Sequence, residues 1–167
     1  MSHGPTDSSA SPALPRRATP ADAEELIRLR QVMLDSYLGA NPDMSWQPAS
    51  ITSLRSRLDD PDGTLAAYVV DAVDRPRALA ACAIGIIDHR LGSPGNPGGL
   101  NGYVFSVATD PDMRRRGYSR ACMEGLLGWF RERGVVHIDL HASKEGGPLY
   151  AALGFVATPD PSMRLTL

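Results

Sequence analysis

Arg114, Arg115, Arg116, Gly117, Tyr118 and Ser119 form an unbroken run of chemically capable residues inside the stretch DPDMRRRGYSRACMEGLL. Three arginines in a row suit three jobs: solvated surface charge, a patch for nucleic acid, or the rim of a small anion site. The formal net charge of -2 argues against the diffuse electrostatics that hold nucleic acid, which makes the arginines a local feature. Other reactive side chains are sparse. Cys82 and Cys122 lie in apolar stretches and read as buried free thiols of a reducing cytoplasm rather than a disulfide or a metal pair. His3, His89, His137 and His141 show no ligand spacing, and no zinc motif is present.

What the arginines do depends on the elements that hold them. The chain has 167 residues, 43% hydrophobic and 22% charged, which suits one domain with a sizeable core. No apolar run is long enough to span a bilayer, and the N-terminus lacks the apolar segment of a signal peptide. Residues 1–18, rich in Ser, Pro and Gly, read by composition as a disordered leader. Thr19 as N-cap, Pro20 at the first helical position and acidic residues in the first turn then start a helix. Its Leu26, Leu29, Met33 and Tyr37 make one apolar stripe. The segment NPDMSWQP breaks this helix, and residues 49–60 form a short second one, stopped before Pro61.

Residues 63–72 and 78–88 read as the strands of an antiparallel hairpin about the turn VDRPR, the second almost wholly apolar and therefore central. The Gly- and Pro-rich LGSPGNPGG is a loop. Residues 102–110 are another strand, ended by Asp110 and Pro111. Gly117–Arg133 follow as a helix with Cys122, Met123, Leu126, Leu127 and Phe130 on one face and Gly134 closing it. Residues 135–142 alternate as a strand, Pro148–Leu153 form a short helix ended by Gly154, and FVAT and MRLTL look like two closing strands. The order β-β-β-α-β-α-β is a mixed α/β fold, antiparallel in front with a strand–helix–strand crossover behind.

This places RRRGYS between a strand end and a helix start. The unpaired N–H groups of a first helical turn form an anion site, aided by the helix dipole. Gly117 lets the backbone turn and approach a ligand with no Cβ in the way. On these grounds a phosphate site and a solvated helix start both stand.

The longer stretch VATDPDMRRRGYSRACMEGLLGWFRERG resembles motif A of the GNAT N-acetyltransferase superfamily, Arg/Gln-x-x-Gly-x-Gly/Ala after a strand. Arg114, Gly117 and Ser119 take its three defining positions, Ser119 replacing the usual Gly or Ala. LYAALGF resembles the family's motif B, and RRATPADAEELIRLR its first strand and helix. The resemblance promotes Arg16–Ala18 to a strand, which leaves residues 1–15 as leader and 16–167 as one N-acetyltransferase domain. It implies a mixed central sheet, flanked by helices, whose fourth and fifth strands splay apart around the pantetheine arm of acetyl-CoA. By position, the backbone of Val107, Ala108 and Thr109 would pair with the pantetheine amides. The N–H groups of Arg114, Arg115, Arg116, Gly117, Tyr118 and Ser119 would cradle the pyrophosphate, and the hydroxyl of Ser119 would either crowd it or donate to it.

Acetyl transfer to an amine needs an uncharged amine and a proton for the leaving thiolate. Tyr150 matches the family tyrosine that acts as general acid; its plainer role is packing the short helix. Ser106 falls at a site-facing position of the fourth strand, where a serine would orient water. His141 ends the fifth strand with an intrinsic pKa suited to proton uptake near neutrality, although an ordinary polar strand end has the same appearance. His89, Asp88 and Glu145 are weaker candidates for the base. Ser143 stands where motif B usually begins with Asn. Met44 and Trp46, with the LGSPGNPGG loop, fall where the family binds its acceptor, and either side chain also suits helix packing.

The resemblance therefore implies an acetyl-CoA-dependent N-acetyltransferase of a small-molecule, peptide or protein amine, using no metal. The alternatives are the same scaffold with another acyl-CoA and a catalytically idle acyl-CoA-binding or sensing module. Neither nucleic acid nor a membrane is an expected partner, a homodimer is possible, and the expected location is cytoplasmic. No acidic cluster marks a polycationic acceptor.

Overall fold

The computed structural model describes residues 14–167, so the leader expected over residues 1–15 lies almost entirely outside the described residues. Five strands form one sheet in the order β1 (Arg16–Arg17), β2 (Leu65–Asp71), β3 (Leu79–His89), β4 (Leu100–Thr109) and β5 (His137–Leu140). The first three pairings are antiparallel and the last, β4 with β5, is parallel. Helices α1 (Ala23–Leu38), α2 (Gln47–Leu58), α3 (Tyr118–Glu132) and α4 (Gly147–Ala152) flank the sheet. This is the mixed α/β architecture with the crossover expected from the sequence.

Local chemistry starts the first helix as expected. Thr19 precedes a single 3-10 turn, Pro20–Asp22, and the Asp22 carboxylate accepts the Thr19 N–H at 2.8 Å. Arg16 then clamps this turn to the sheet, reaching Asp22 and Asp71 at 2.8 Å each. Burial pushes the Asp22 pKa up, but the hydrogen bonds from Arg16 and Thr19 outweigh it and leave the group below its ordinary value.

Apolar cores form on both faces of the sheet. On one face Cys122, Met123, Leu126 and Phe130 of α3 pack on Ala66, Val70 and Val104. On the other, Leu26, Ile27 and Leu29 of α1 and Leu54 of α2 pack on Leu65, Val69, Cys82 and Ile84. The central position of β3 explains its unbroken apolar run. Both thiols are free and buried, one in each core. Phe130 comes close to the sheet because two strands offer glycine there: a Cβ on Gly85 would lie 2.7 Å from its ring, and one on Gly102 2.8 Å.

The irregularity that matters for function is in β4. Its register with β3 slips so that Gly85 faces Val104 and Ile84 faces Ser106, leaving Phe105 as an extra residue. Such a bulge bends a strand and disturbs its pairing. Pairing with β5 stops one residue earlier, at Val104 opposite Leu140. Among the described residues, 105–109 therefore continue without a neighbour on that side, and the fourth and fifth strands part as expected.

Several expectations are corrected. FVAT and MRLTL are not strands; residues 155–167 carry no regular structure, and Val156, Met163 and Leu165 are exposed. Their apolar alternation resembles a strand, but a strand also needs a hydrogen-bonded neighbour, and none of these residues has one among the described residues. The strand expected over residues 135–142 shortens to His137–Leu140. Tyr37, in the last turn of α1, leaves the apolar stripe and is 69% exposed; the buried residues of the helix lie at its other end, Ala23 to Leu29. Gly117 caps α3 rather than opening it.

Candidate functional site

Asp110, the first residue past β4, is the anchor of the arginine loop. Its carboxylate is 5% exposed and takes Arg28 of α1 at 2.8 Å and Arg75 of the β2–β3 turn at 3.1 Å. Its N–H donates to the Ala80 carbonyl at 2.8 Å. Glu25 completes the network, accepting Arg28 at 2.8 Å and the Leu79 N–H at 2.9 Å. Sequence reasoning identified Asp110 only as a strand terminator, because nothing local marks the two arginines that meet it.

From this anchor the chain makes a 3-10 turn, Pro111–Met113, and then the loop 114–117. Arg115 and Gly117 both take positive φ, 63° and 77°, so the backbone turns sharply twice within four residues. A non-glycine residue held there, Arg115, costs about 1–3 kcal/mol of backbone strain. Among the described residues, the N–H groups of Arg114, Arg115, Arg116 and Gly117 meet no backbone acceptor. They join the unsatisfied N–H groups of the first turn of α3. A Cβ on Gly117 would meet nothing within 4 Å, so the space before it is open. The three arginine side chains are exposed.

Ser119 is accommodated by a contact that the sequence did not announce. Its hydroxyl and that of Thr109 lie 2.5 Å apart, tying the last residue of β4 to the first turn of α3. The serine oxygen thus has a protein partner.

Between these elements lies a cleft of about 470 Å³. Met33 and Ser36 of α1 form one wall, and Val107, Ala108 and Thr109 of β4 the floor. Arg114, Arg115, Gly117, Tyr118 and Ser119 close one end, and Ser143, Leu149 and Tyr150 form the far wall. Arg116 does not line it. Ser143 closes the turn that leads into the short helix α4, its hydroxyl accepting the Gly146 N–H at 3.1 Å. The Tyr150 ring lies against Gly146, where a Cβ would approach it to 2.9 Å, and meets Phe155 edge-on at 6.0 Å. Burial raises the Tyr150 pKa, so the phenol keeps its proton at neutral pH.

The remaining candidates stand elsewhere. Ser106 is buried, and its side chain faces Arg30 of α1, whose Nη1 donates to its hydroxyl at 3.4 Å; it does not line the cleft. His141 is the first residue past the last β4–β5 pair, and its Nδ1 is 2.6 Å from the Tyr103 hydroxyl of β4. That partner escaped sequence reasoning, since only the parallel register brings residue 103 beside residue 141. Trp46 packs into the α1-side core, and Met44 is 45% exposed with its sulfur accepting Gln47 Nε2. Glu145 borders the cleft, whereas Asp88 pairs with Arg90 and His89 faces the Gly98 carbonyl. Among the described residues no group of three or more His, Cys, Asp or Glu is arranged to hold a metal, and no helix is long and apolar enough to cross a membrane.

A five-stranded mixed sheet with a bulged fourth strand, a parted fifth and a run of backbone N–H groups without backbone acceptors before α3 matches the acetyltransferase fold. The chain belongs to the acetyltransferase (GNAT) family, whose model matches residues 27–155. Its fold is that of a predicted acetyltransferase of Clostridium acetobutylicum in a crystal structure with acetyl-CoA. The two superpose with a TM-score of 0.77 at 23% identity, covering 91% of this chain and 94% of that one. Over 63 residues it is 36% identical to the chloroplastic serotonin N-acetyltransferase 2 of Oryza sativa subsp. japonica, covering 38% of this chain and 32% of the relative. Over 55 residues it is 40% identical to the ribosomal protein bS18-alanine N-acetyltransferase of Salmonella typhimurium, covering 31% of this chain and 37% of the relative. The aligned parts thus span about a third of each curated relative.

Proposed function

We propose that residues 16–167 form one acetyl-CoA-dependent N-acetyltransferase domain acting on a primary amine of a small molecule, peptide or protein. The observation that carries this reading is the bare side of β4 beyond Val104, which opens into a cleft ending at a cradle of unpaired backbone N–H groups. An elongated ligand with amides along its length and phosphates at one end fits both features. Acetyl-CoA is such a ligand, and it supplies the acetyl group as a thioester.

The chain's own groups divide the work. Val107, Ala108 and Thr109 present their backbone to the amides of the pantetheine arm, and the N–H groups of residues 114–119 donate to the pyrophosphate oxygens. The exposed arginines add screening charge around a site that the backbone makes. Thr109 and Ser119 hold the strand end and the helix start together. Tyr150, protonated and lining the cleft, gives its proton to the departing sulfur. His141 stands where the strands part. With its Nδ1–H donating to the Tyr103 oxygen, its Nε2 lone pair is free to take the proton of the amine, directly or through water. One N–C bond forms as one C–S bond breaks, one proton leaves nitrogen, and one reaches sulfur. Ser106 is left a positioning role through Arg30.

The test is turnover. Acetyl-CoA should raise the melting temperature, and a panel of primary amines should include some that release free CoA thiol and gain an acetyl group by mass. Stabilisation with no release from any amine would mark an idle binding module; release only with another acyl-CoA would change the donor.

A further inference from the structure

A second cleft, of about 370 Å³, lies between α1, α2 and the sheet. We propose that it is the acceptor pocket and that it takes a small amine carrying a carboxylate on an apolar body, the carboxylate held by Arg30. The inference rests on the donor site argued above and names the acceptor class for it.

Arg30 is the reason. Among the described residues each of the other half-buried arginines meets a carboxylate or a backbone carbonyl at 3.2 Å or closer. Arg16, Arg28 and Arg75 meet carboxylates between 2.8 and 3.2 Å, and Arg17 and Arg133 donate to backbone carbonyls at 3.2 Å or closer. Arg30 has only two contacts, both 3.4 Å, to the Phe105 carbonyl and the Ser106 hydroxyl, and its guanidinium lies 5.8 Å over the Phe105 ring. No carboxylate reaches it among the described residues. A guanidinium has five donors in a planar fork matched to a carboxylate, and those of Arg30 are almost unused. Arg57 of α2 lines the same cleft, and no acidic residue does. The other walls are Ile27, Leu54, Leu65, Ile84 and Phe105, which accept an apolar body.

The position suits an acceptor. Phe105 lines this cleft, and Val107 lines the donor cleft two residues along the same strand, where β4 has lost its neighbour. Arg30 and Met33, less than one turn apart on α1, line the two clefts in the same way. An amine tethered by its carboxylate to Arg30 would thereby be presented toward the point where the strands part, where the Tyr103 ring stacks on Phe105 with 6.5 Å between centroids and its hydroxyl faces His141.

The experiment compares leucine, methionine and phenylalanine with leucinamide, methioninamide and phenylalaninamide as acceptors, reading CoA thiol release. Each acid should exceed its amide in kcat/KM by roughly ten- to hundredfold, the range of one charge-assisted contact. Arg30→Gln should erase that preference through the acceptor KM, while the KM for acetyl-CoA stays as in the parent; Arg30→Lys should keep part of it. Amides used as well as acids, or a preference unchanged in Arg30→Gln, overturns the proposal. No release from any of the six, with acetyl-CoA still raising the melting temperature, also overturns it and leaves the donor site standing. Failure of acetyl-CoA to stabilise the protein overturns the donor reading instead.

Discussion

Tyr150 carries the most specific prediction at the scale of single residues. Its phenol is kept protonated by burial and lines the cleft, yet no other side chain hydrogen-bonds to it among the described residues. Tyr150→Phe should lower kcat by at least about tenfold with the shift in melting temperature on adding acetyl-CoA almost unchanged, since the ring still packs against Gly146 and Phe155. Equal kcat in the variant would remove the acid. His141 is tested by substitution. A base must take the proton of the amine, so His141→Ala should lower kcat/KM by at least about tenfold with the shift in melting temperature on adding acetyl-CoA almost unchanged. Tyr103→Phe keeps the ring, removes the hydroxyl that faces His141 Nδ1, and should lower kcat/KM by less. Part of this site was legible in the sequence. Gly117, Ser119 and Tyr150 sit in short contiguous motifs, so their spacing is visible along the chain. Tyr103, Asp110 and Arg30 act through partners 38, 82 and 76 positions away, and no local pattern records such meetings.

At the scale of elements, two junctions hold the site in shape. The first is the Asp110 anchor. Asp110→Asn leaves Arg28 and Arg75 without their buried carboxylate, and should cost about 2–4 kcal/mol in urea unfolding. The same variant should weaken acetyl-CoA binding, because the arginine loop departs directly from this residue. The second is the seat of Phe130 on Gly85 and Gly102. Gly102→Ala pushes a methyl into the ring at 2.8 Å and should cost about 1–3 kcal/mol by overpacking. A Gly102→Ala protein that unfolds at the parent urea midpoint would show that α3 lifts from the sheet easily. The helices and the three long strands could be read from periodicity and caps. The bulge at Phe105 could not, because it is a slip between two strands rather than a property of either one. The two closing strands were expected for the opposite reason, an alternating pattern with no neighbour to pair it.

Across the whole molecule, the ion pairs at the start of α1 set the response to acid. Burial pushes Glu25 up, but hydrogen bonds from Arg28 and the Leu79 N–H bring it below its ordinary 4.5, and Asp22 lies below its ordinary 3.8 for a similar reason. A group whose folded pKa is depressed adds stability that is full above the unfolded pKa and lost as pH falls through the folded one. The urea midpoint should therefore hold from neutrality to about pH 5 and fall below pH 4.5. Arg16→Met should blunt that fall. The buried thiols should behave as one with the fold. Desolvation raises both, Cys82 to about 12, so neither should react with a thiol reagent until the protein unfolds.

The stretch of β4 past Val104 has one further consequence, for the life of the protein rather than its catalysis. A strand with one side open inside a sheet is a template for another chain, and proteins ordinarily cover or shorten such edges. On the proposed function the cover would be the donor itself, lying along residues 105–109 in place of a sixth strand. Ligand present at a hundredfold over its dissociation constant adds about 2.7 kcal/mol to the folded state. Aggregation and amide exchange along β4 should then both slow as acetyl-CoA rises, and the amount of intact protein would track the supply of the acyl donor.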